Sequence, residues 1–398
     1  MATDNNNKVL NVPNLRFPEF TEEWRKYKVS DVLDFYSTNS LSWEQLDYNN
    51  EDLYNLHYGL IHVGLPILVD IGQNKLPGIK TECKPKNFEL CKEGDVAFAD
   101  ASEDTNDVAK AIEFVNLNNH KTVCGLHTIH GRDNKHLTVL GYKGYAFASP
   151  LFHNQIRRIA QGTKIYSISS KNFAECYIGI PSKDEQSKIA RLLALIDSRI
   201  ATQNKIIEDL KKLKVAISNK LFELLNQVEY KISDVAQIGR GRVISTLEIS
   251  KQECPTYPVY SSQTSNNGIM GYLDTYDFEG EYITWTTDGA NAGTVFYRNG
   301  KFNCTNVCGV LKVNDNIDAY YLSIVLQSAT AKYVSTNLAN PKLMNNTMSS
   351  IKVKLPSLPV QRNWSNTLRE IDAKIENEIL ASNLLCIQKQ YLLQQMFI

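Results

Sequence analysis

The sequence predicts an α+β protein made of a doubled unit. Two mixed α/β globular domains are separated by a pair of long antiparallel helices, a coiled-coil spacer with a pseudo-twofold internal repeat. Three observations predict it. Beyond Pro181, apolar residues recur at steps of three and four (Ile189, Leu192, Leu193, Ile196, Ile200, Ile207, Leu210, Ile217 and Leu221), which marks one face of a helix. No proline or glycine interrupts it, and ~40 residues at ~1.5 Å each make a rod of roughly 60 Å. The same pattern returns at a constant offset of 175: Pro181-Ser182 matches Pro356-Ser357, Gln186 matches Gln361, Ile196-Asp197 matches Ile371-Asp372, and Leu221-Phe222 matches Met396-Phe397. Finally, Tyr27-Lys-Val-Ser-Asp-Val32 is echoed by Tyr230-Lys-Ile-Ser-Asp-Val235. Such repetition fixes the architecture before any single element does, and two copies are too few for a solenoid.

Composition sets the class. The chain has 398 residues, 43% apolar and 22% charged, enough for two or three domains with real cores. Its 43 basic and 43 acidic residues cancel, which weighs mildly against nucleic acid but leaves local patches open. Eight cysteines are scattered without paired spacing, Met1 to Asn14 is polar and unlike a signal peptide, and no run is long enough to cross a bilayer. A cytoplasmic protein with reduced thiols and no membrane partner is expected.

In chain order, residues 1–22 are expected to be a loose arm anchored by Phe17, Pro18 and Phe20. Residues 23–180 form the first globular domain, with strands at Gly94–Ala99, Ala111–Val115 and Leu137–Leu140. The first spacer helix covers 181–225, and Ser182 with Glu185 resembles a capping box. A hinge at Asn226–Glu229 opens the second domain, 226–355. Its strands are expected at Tyr257–Tyr260, Tyr282–Trp285, Thr294–Tyr297 and Cys308–Val313, with a glycine-bearing loop at Asp288–Gly293 and a helix at Ala319–Ser328. The second spacer helix covers 356–398. Leu358-Pro-Val stands where the first copy has Lys183-Asp-Glu, so this helix is expected to start later or without its cap.

Two helices of equal length joined through a domain pair most simply as antiparallel partners, each burying the other's stripe. Ile189, Ile196, Ile200, Ile207, Leu210, Ile371, Ile375, Leu385 and Leu392 are the expected spacer and subunit-interface residues. Gln203 and Asn204 interrupt one stripe, and Glu378 and Ser382 the other. They either fix register or stand as water-exposed slack. A spacer of roughly 50–60 Å covers about fifteen base pairs of B-DNA, which suits a two-part target.

The chain resembles the specificity subunit of type I restriction–modification enzymes over nearly its whole length. The duplicated Pro-Ser-x-x-x-Gln and Ile-Asp-x-x-Ile patterns at 181–200 and 356–375 carry the resemblance. So do Leu15-Arg-Phe-Pro-Glu-Phe-Thr-Glu-Glu-Trp24, the 94–104 segment and Thr287-Asp-Gly-Ala-Asn-Ala-Gly293. The resemblance implies two target-recognition domains, each reading half of a bipartite site in double-stranded DNA. It also implies helices that dock two methyltransferase subunits, with two restriction/translocase subunits joining for cleavage. The methyl donor and ATP are then expected on those partners, and this chain needs no cofactor.

Motifs for chemistry are missing. Asn340-Pro-Lys-Leu343 lacks the second proline and the aromatic residue of an amino-methyltransferase, and no P-loop or GxSxG string exists. His127 and His130 are spaced like ligands and Cys124 is close, but structural zinc usually needs four ligands at recognisable spacings, so no metal is expected. Cys304 and Cys308 read as buried thiols.

The candidate DNA contacts in the first domain are His127, His130, Arg132, Asn134, Lys135 and His136, on a polar loop spanning Gly125–His136, together with Arg157 and Lys164. A plain solvated loop is the competing reading. In the second domain Arg240 and Arg242 suit a turn that presents charge to phosphate. Ser262, Gln263, Thr264, Asn266 and Asn267 form one amide- and hydroxyl-rich loop, and Thr287 and Asn291 lie on another. Lys342 and Asn345 precede the last helix. Asn and Gln can bond adenine bidentately, and the resemblance implies adenine methylation. The sequence thus points to a non-catalytic DNA-specificity subunit. The rival is a two-headed coiled-coil scaffold for protein partners, without DNA readout.

Overall fold

The computed structural model describes residues 11–221, 227–335 and 340–398. The expected hinge at Asn226, Phe222 and the first ten residues of the arm lie outside them. The chain divides into two units: one runs to Asn204 and includes Leu380–Ile398, and the other is Lys205–Ile379.

The first unit is organised on a five-stranded sheet. Its strands run in the order Asp34–Tyr36, Thr128–Arg132, Val96–Ala99, Ala111–Asn116, Leu68–Asp70, and only the last pairing is parallel. A second sheet holds Thr122–Cys124, Tyr54–Leu56, Gly78–Ile79 and Leu46–Asp47. Arg25–Lys28 pairs antiparallel with Tyr177–Ile180, placing Arg25 opposite Ile180. The core joins Trp24, Phe98, Tyr142, Tyr145, Phe147 and Phe173 to Ile189, Leu193 and Ile196 of the first long helix, and to Leu392, Leu393, Met396 and Phe397 of the last. Each fully buried side chain of this size contributes roughly 1.5–3 kcal/mol.

The second unit repeats the plan. Ala236–Arg240, Cys308–Val313, Tyr282–Thr286 and Val295–Arg298 form an antiparallel sheet in the corresponding order. Val228–Lys231 pairs with Lys352–Leu355, Val228 opposite Leu355, the register of the first unit shifted by the repeat offsets. Trp285 lies against Gly309, where a Cβ would fall 2.2 Å from the indole, and its Nε1 donates to the Leu343 carbonyl at 2.9 Å. A four-stranded sheet carrying Tyr257–Tyr260 completes the unit.

The long helices are Lys183–Leu221 and Leu358–Gln395. Lys183 and Leu358 are equivalent in the repeat, so the second helix does not start late. Pro359 falls in the first turn, where a missing N–H costs nothing. The expected capping box is half made: Ser182 Oγ accepts from the Glu185 N–H at 3.4 Å, but the Glu185 carboxylate turns to Arg16 and Trp24 instead. Arg16 holds it bidentately at 2.7 and 2.8 Å. The described part of the arm is therefore bound, with Leu15 N–H also donating to the Gln395 carbonyl at 2.9 Å.

The duplicated motif has a physical reason in each unit. Gln186 is buried, accepts from Val139 N–H at 2.9 Å and donates to the Leu137 and Pro181 carbonyls at 3.1 and 2.9 Å. Gln361 accepts from Asp318 N–H at 3.0 Å and donates to Pro356 at 2.8 Å. Leu137–Leu140 is consequently not a strand: Gln186 serves its Val139 N–H and Leu137 carbonyl, and Asp133 its Thr138 N–H, in place of a neighbouring strand. Asp197 accepts from Tyr145 at 2.9 Å and pairs with Lys389 at 2.5 Å. Asp372 likewise accepts from Tyr320 and pairs with Lys214 at 2.5 Å.

Among the expected spacer residues, Ile189, Ile196, Ile207, Ile375 and Leu392 are buried, and Ile200, Leu210, Ile371 and Leu385 are half-buried. Ile189 and Ile196 belong to the first domain's core. The polar interruption is paired: Ser382 Oγ donates to Asn204 Oδ1 at 2.9 Å. Among the described residues no helix is long and apolar enough to cross a membrane.

Candidate nucleic-acid interface

In the first unit the polar loop expected over 125–136 is a strand at its centre. Thr128–Arg132 is buried along its whole length because it lies between two neighbouring strands. Four steps of ~3.3 Å separate its end residues by roughly 13 Å. His127 stands before one end and Asn134, Lys135 and His136 beyond the other, so the structure does not bring them together.

His130 and Arg132 leave the DNA-contact set. His130 is fully buried, its Nε2 2.7 Å from Asp95 Oδ2. Arg132 donates to both Asp95 oxygens at 2.8 Å, to Glu89 at 2.7 Å and to the Leu90 carbonyl at 2.7 Å. Burial alone would raise the Asp95 carboxyl, but the His130 and Arg132 hydrogen bonds outweigh it and hold it below the ordinary value. Four of its five N–H donors are so engaged and the side chain is only 8% exposed, which leaves it poorly placed to reach a base or phosphate.

Asn134 and Lys135 are exposed but latch the chain locally. Asn134 donates to Asp34 and the Tyr36 hydroxyl at 2.7 and 2.8 Å, and Lys135 to the Asp31 carbonyl at 2.7 Å. His136 is exposed in the left-handed backbone region.

His127, Arg157 and Lys164 do share a locality. His127 is exposed with Nδ1 3.1 Å from Asp100 Oδ1, and Arg157 donates to Asn106 Oδ1 at 2.7 Å and to Asn154. Lys164, exposed, lies two residues before Tyr166–Ser167, which pairs with Ala101–Ser102. His127 and Arg157 therefore bond to the segment 100–107, and Lys164 lies on the chain leading into the strand that pairs with it. Sequence reasoning missed the aromatic stack that leads to it. Trp43 lies 4.3 Å from His57, His57 4.7 Å from Tyr58, and Tyr58 5.2 Å from His127. Trp43 is 45% exposed. Burial lowers the His57 pKa, so its ring is neutral near pH 7. No local periodicity links residue 43 to residue 127; only the neighbouring His57-Tyr58 pair hinted at it.

In the second unit the amide-bearing loops converge. Asn291 Nδ2 donates to Thr264 Oγ1 at 3.2 Å, joining the two loops singled out from sequence. Asn266 and Asn267 are exposed in the left-handed region, which Asn tolerates. Lys342 Nζ is 3.6 Å from Asp288, and backbone bonds tie Gly289 to Pro341 and Leu343 to Thr287. Asn345 donates to the Gly239 carbonyl at 3.3 Å, next to exposed Arg240, whose guanidinium is 3.8 Å from Met344 sulfur. Ser262 and Gln263 are half-buried, and the Gln263 amide donates to the Ile269 carbonyl.

Thr287 leaves the contact set, and Arg242 is already engaged. Thr287 is buried and donates its hydroxyl to the Val307 carbonyl at 3.0 Å. Arg240 ends a strand, and Arg242 is claimed by Glu248 at 2.6 Å and Asp277 at 3.2 Å, so the pair is not a free two-arginine turn. What remains is a set of exposed amides, hydroxyls and single cations on loops. Such groups can pair with base edges and phosphates.

The sequence model of the type I restriction modification DNA specificity domain matches residues 21–212 and again 226–382. A Mycoplasma pneumoniae chain named as the N-terminus of a type I specificity subunit is 49% identical over 140 residues, 35% of this chain and 74% of that relative. A second from the same organism, also named as a type I specificity subunit, is 35% identical over 218 residues, 51% of this chain and 78% of the relative. The type I restriction enzyme MpnII specificity subunit of that organism is 42% identical over 140 residues, 35% of this chain and 42% of the relative. Among solved structures, the type I restriction–modification S subunit from M. genitalium aligns with TM-score 0.64 at 19% identity, covering 97% of this chain and 99% of that one.

Proposed function

From the premise that this chain belongs to the type I restriction–modification DNA specificity family, we propose that it selects the DNA sequence on which a methyltransferase and nuclease complex acts. The single observation that carries this is the doubled match of the family's DNA specificity domain, once over each globular part. In this reading residues 23–180 and 226–355 are the two recognition domains, each taking one half of a bipartite site. The recognising groups are His127, Arg157 and Lys164 around segment 100–107, and Arg240, Thr264, Asn266, Asn267, Asn291, Lys342 and Asn345 on the converging loops. Phosphate contacts set position and base-edge contacts choose sequence.

The long helices are read as an antiparallel spacer with pseudo-twofold symmetry. The Tyr–Asp–Lys and Gln contacts repeated at an offset of 175 in the two units support it, as does the Asn204–Ser382 bond. A helix of 39 residues is roughly 58 Å long and sets the gap between half-sites. The exposed stripe Leu380, Leu384, Ile387 and Tyr391, at spacings of three and four, supports docking of a methyltransferase subunit there. We assign two methyltransferase and two restriction subunits to the complex, the chemistry to those partners, and a cytoplasmic location to the whole.

The test is binding by the assembled methyltransferase–specificity complex to duplexes with neither, one or both half-sites intact. Tight binding only with both supports the assignment. Equal affinity for all three would leave the protein-scaffold reading in its place.

A further inference from the structure

We infer that the first domain carries a transition-metal site, suited to zinc, with Cys91, Cys124 and His130 as three protein ligands and a fourth position left open. The three side chains are buried, and their ligand atoms lie within 4.8 Å of one another. The two sulfurs are 3.6 Å apart. Two thiolates on one tetrahedral zinc at ~2.3 Å stand roughly 3.8 Å apart, so the pair is already at ligand spacing.

An independent feature points to the ion. His130 Nε2 is engaged by Asp95 Oδ2 at 2.7 Å, while Nδ1 is buried with no hydrogen-bond partner. A carboxylate only accepts, so Nε2 carries a proton, and in the neutral ring Nδ1 presents a lone pair. That is the carboxylate–histidine arrangement by which proteins orient a metal-binding imidazole. Two thiolates would offset a divalent ion, and Arg132 lies between Asp95 and half-buried Glu89. A cleft lined by Asn39, Cys83, Phe88 and His127 reaches Cys124, giving the ion and a fourth ligand a way in.

The site ties together three separate parts of the domain: the segment before Val96–Ala99, the end of Thr122–Cys124, and the buried strand Thr128–Arg132. His127 is no ligand, since it faces Asp100. The sequence hid the site because Cys91 lies 33 residues from Cys124, far outside the short spacings by which zinc motifs are read.

The test uses the full chain, purified without chelator, then reconstituted with Zn²⁺ and dialysed. The expected result is about one zinc per chain, with X-ray absorption showing two sulfurs at ~2.3 Å and a nitrogen at ~2.0–2.1 Å. The C91S/C124S double variant loses the metal, whereas C254S/C386S, which removes two exposed thiols, keeps it. Because a core variant can fail to fold, the unmutated chain loaded with Co²⁺ supplies a second readout, thiolate-to-cobalt charge-transfer absorption. The inference is overturned if the reconstituted chain holds no stoichiometric metal, if its spectra show no sulfur ligand, or if C91S/C124S binds as much as the parent. A Cys91–Cys124 disulfide in the freshly purified chain, found by mass spectrometry, would also overturn it.

Discussion

Replacing Gln186 with alanine probes the physical meaning of the duplicated motif. The amide is buried and serves three backbone groups, the Val139 N–H and the carbonyls of Leu137 and Pro181. Without it, groups with little access to water lose their partners. Each unsatisfied group costs ~1–3 kcal/mol, partly relieved where water can enter, so about 2–4 kcal/mol in all is expected. For a unit of this size each kcal/mol moves Tm by roughly 2–4 °C, so a loss of about 3 kcal/mol lowers the first unit's transition by roughly 6–12 °C. Gln361→Ala removes two such bonds and should lower the second unit's transition by somewhat less. Differential scanning calorimetry of the full chain reads both. A Gln186→Ala shift below about 1 °C would refute the claim that this glutamine replaces a strand partner for Leu137–Leu140.

Other outcomes follow from the same contacts. Asp372→Asn weakens the half-exposed Lys214 pair and the Tyr320 bond, costing about 1 kcal/mol after solvent screening, measured by urea denaturation. In the assembled complex, Arg240→Ala or Lys164→Ala should weaken binding to all sequences alike and reduce the salt slope by about one unit. Asn266→Ala or Asn291→Ala should instead relax discrimination at particular bases by about 1–3 kcal/mol, read from competition with single-base variants. Ile387→Glu should reduce methyltransferase-subunit binding in titration calorimetry while leaving Tm unchanged, since the side chain is 65% exposed. Inserting four residues between Asn204 and Lys205, and four between Ala381 and Ser382, lengthens each helix by ~6 Å and should widen the methylated gap by about two base pairs.

Periodic and repeated features were legible in the sequence. The strands at 282–286, 295–298 and 308–313, the helix at 319–329 and both long helices fall where alternation and helical spacing put them. The offset even gave the start of the second helix better than its own Leu358-Pro-Val cap residues did. Burial within polar-looking segments was not legible. Gly125-Leu-His-Thr-Ile-His-Gly-Arg132 reads as a loop, yet His130 and Arg132 are held inside by Asp95, a carboxylate 35 residues away from His130. Thr287 shows the same limit, since its partner Val307 lies 20 residues away, whereas Arg242 is exposed and paired with Glu248 and Asp277. Conversely, Thr264 and Asn291 were chosen by residue type alone, and the fold brings them into contact.

The most direct measurement is the methylation pattern of the host genome with and without this chain, read by long-read sequencing. The account predicts that deletion removes methyladenine from one bipartite motif and leaves the others untouched. An unchanged methylome in cells that retain active partner subunits would contradict it.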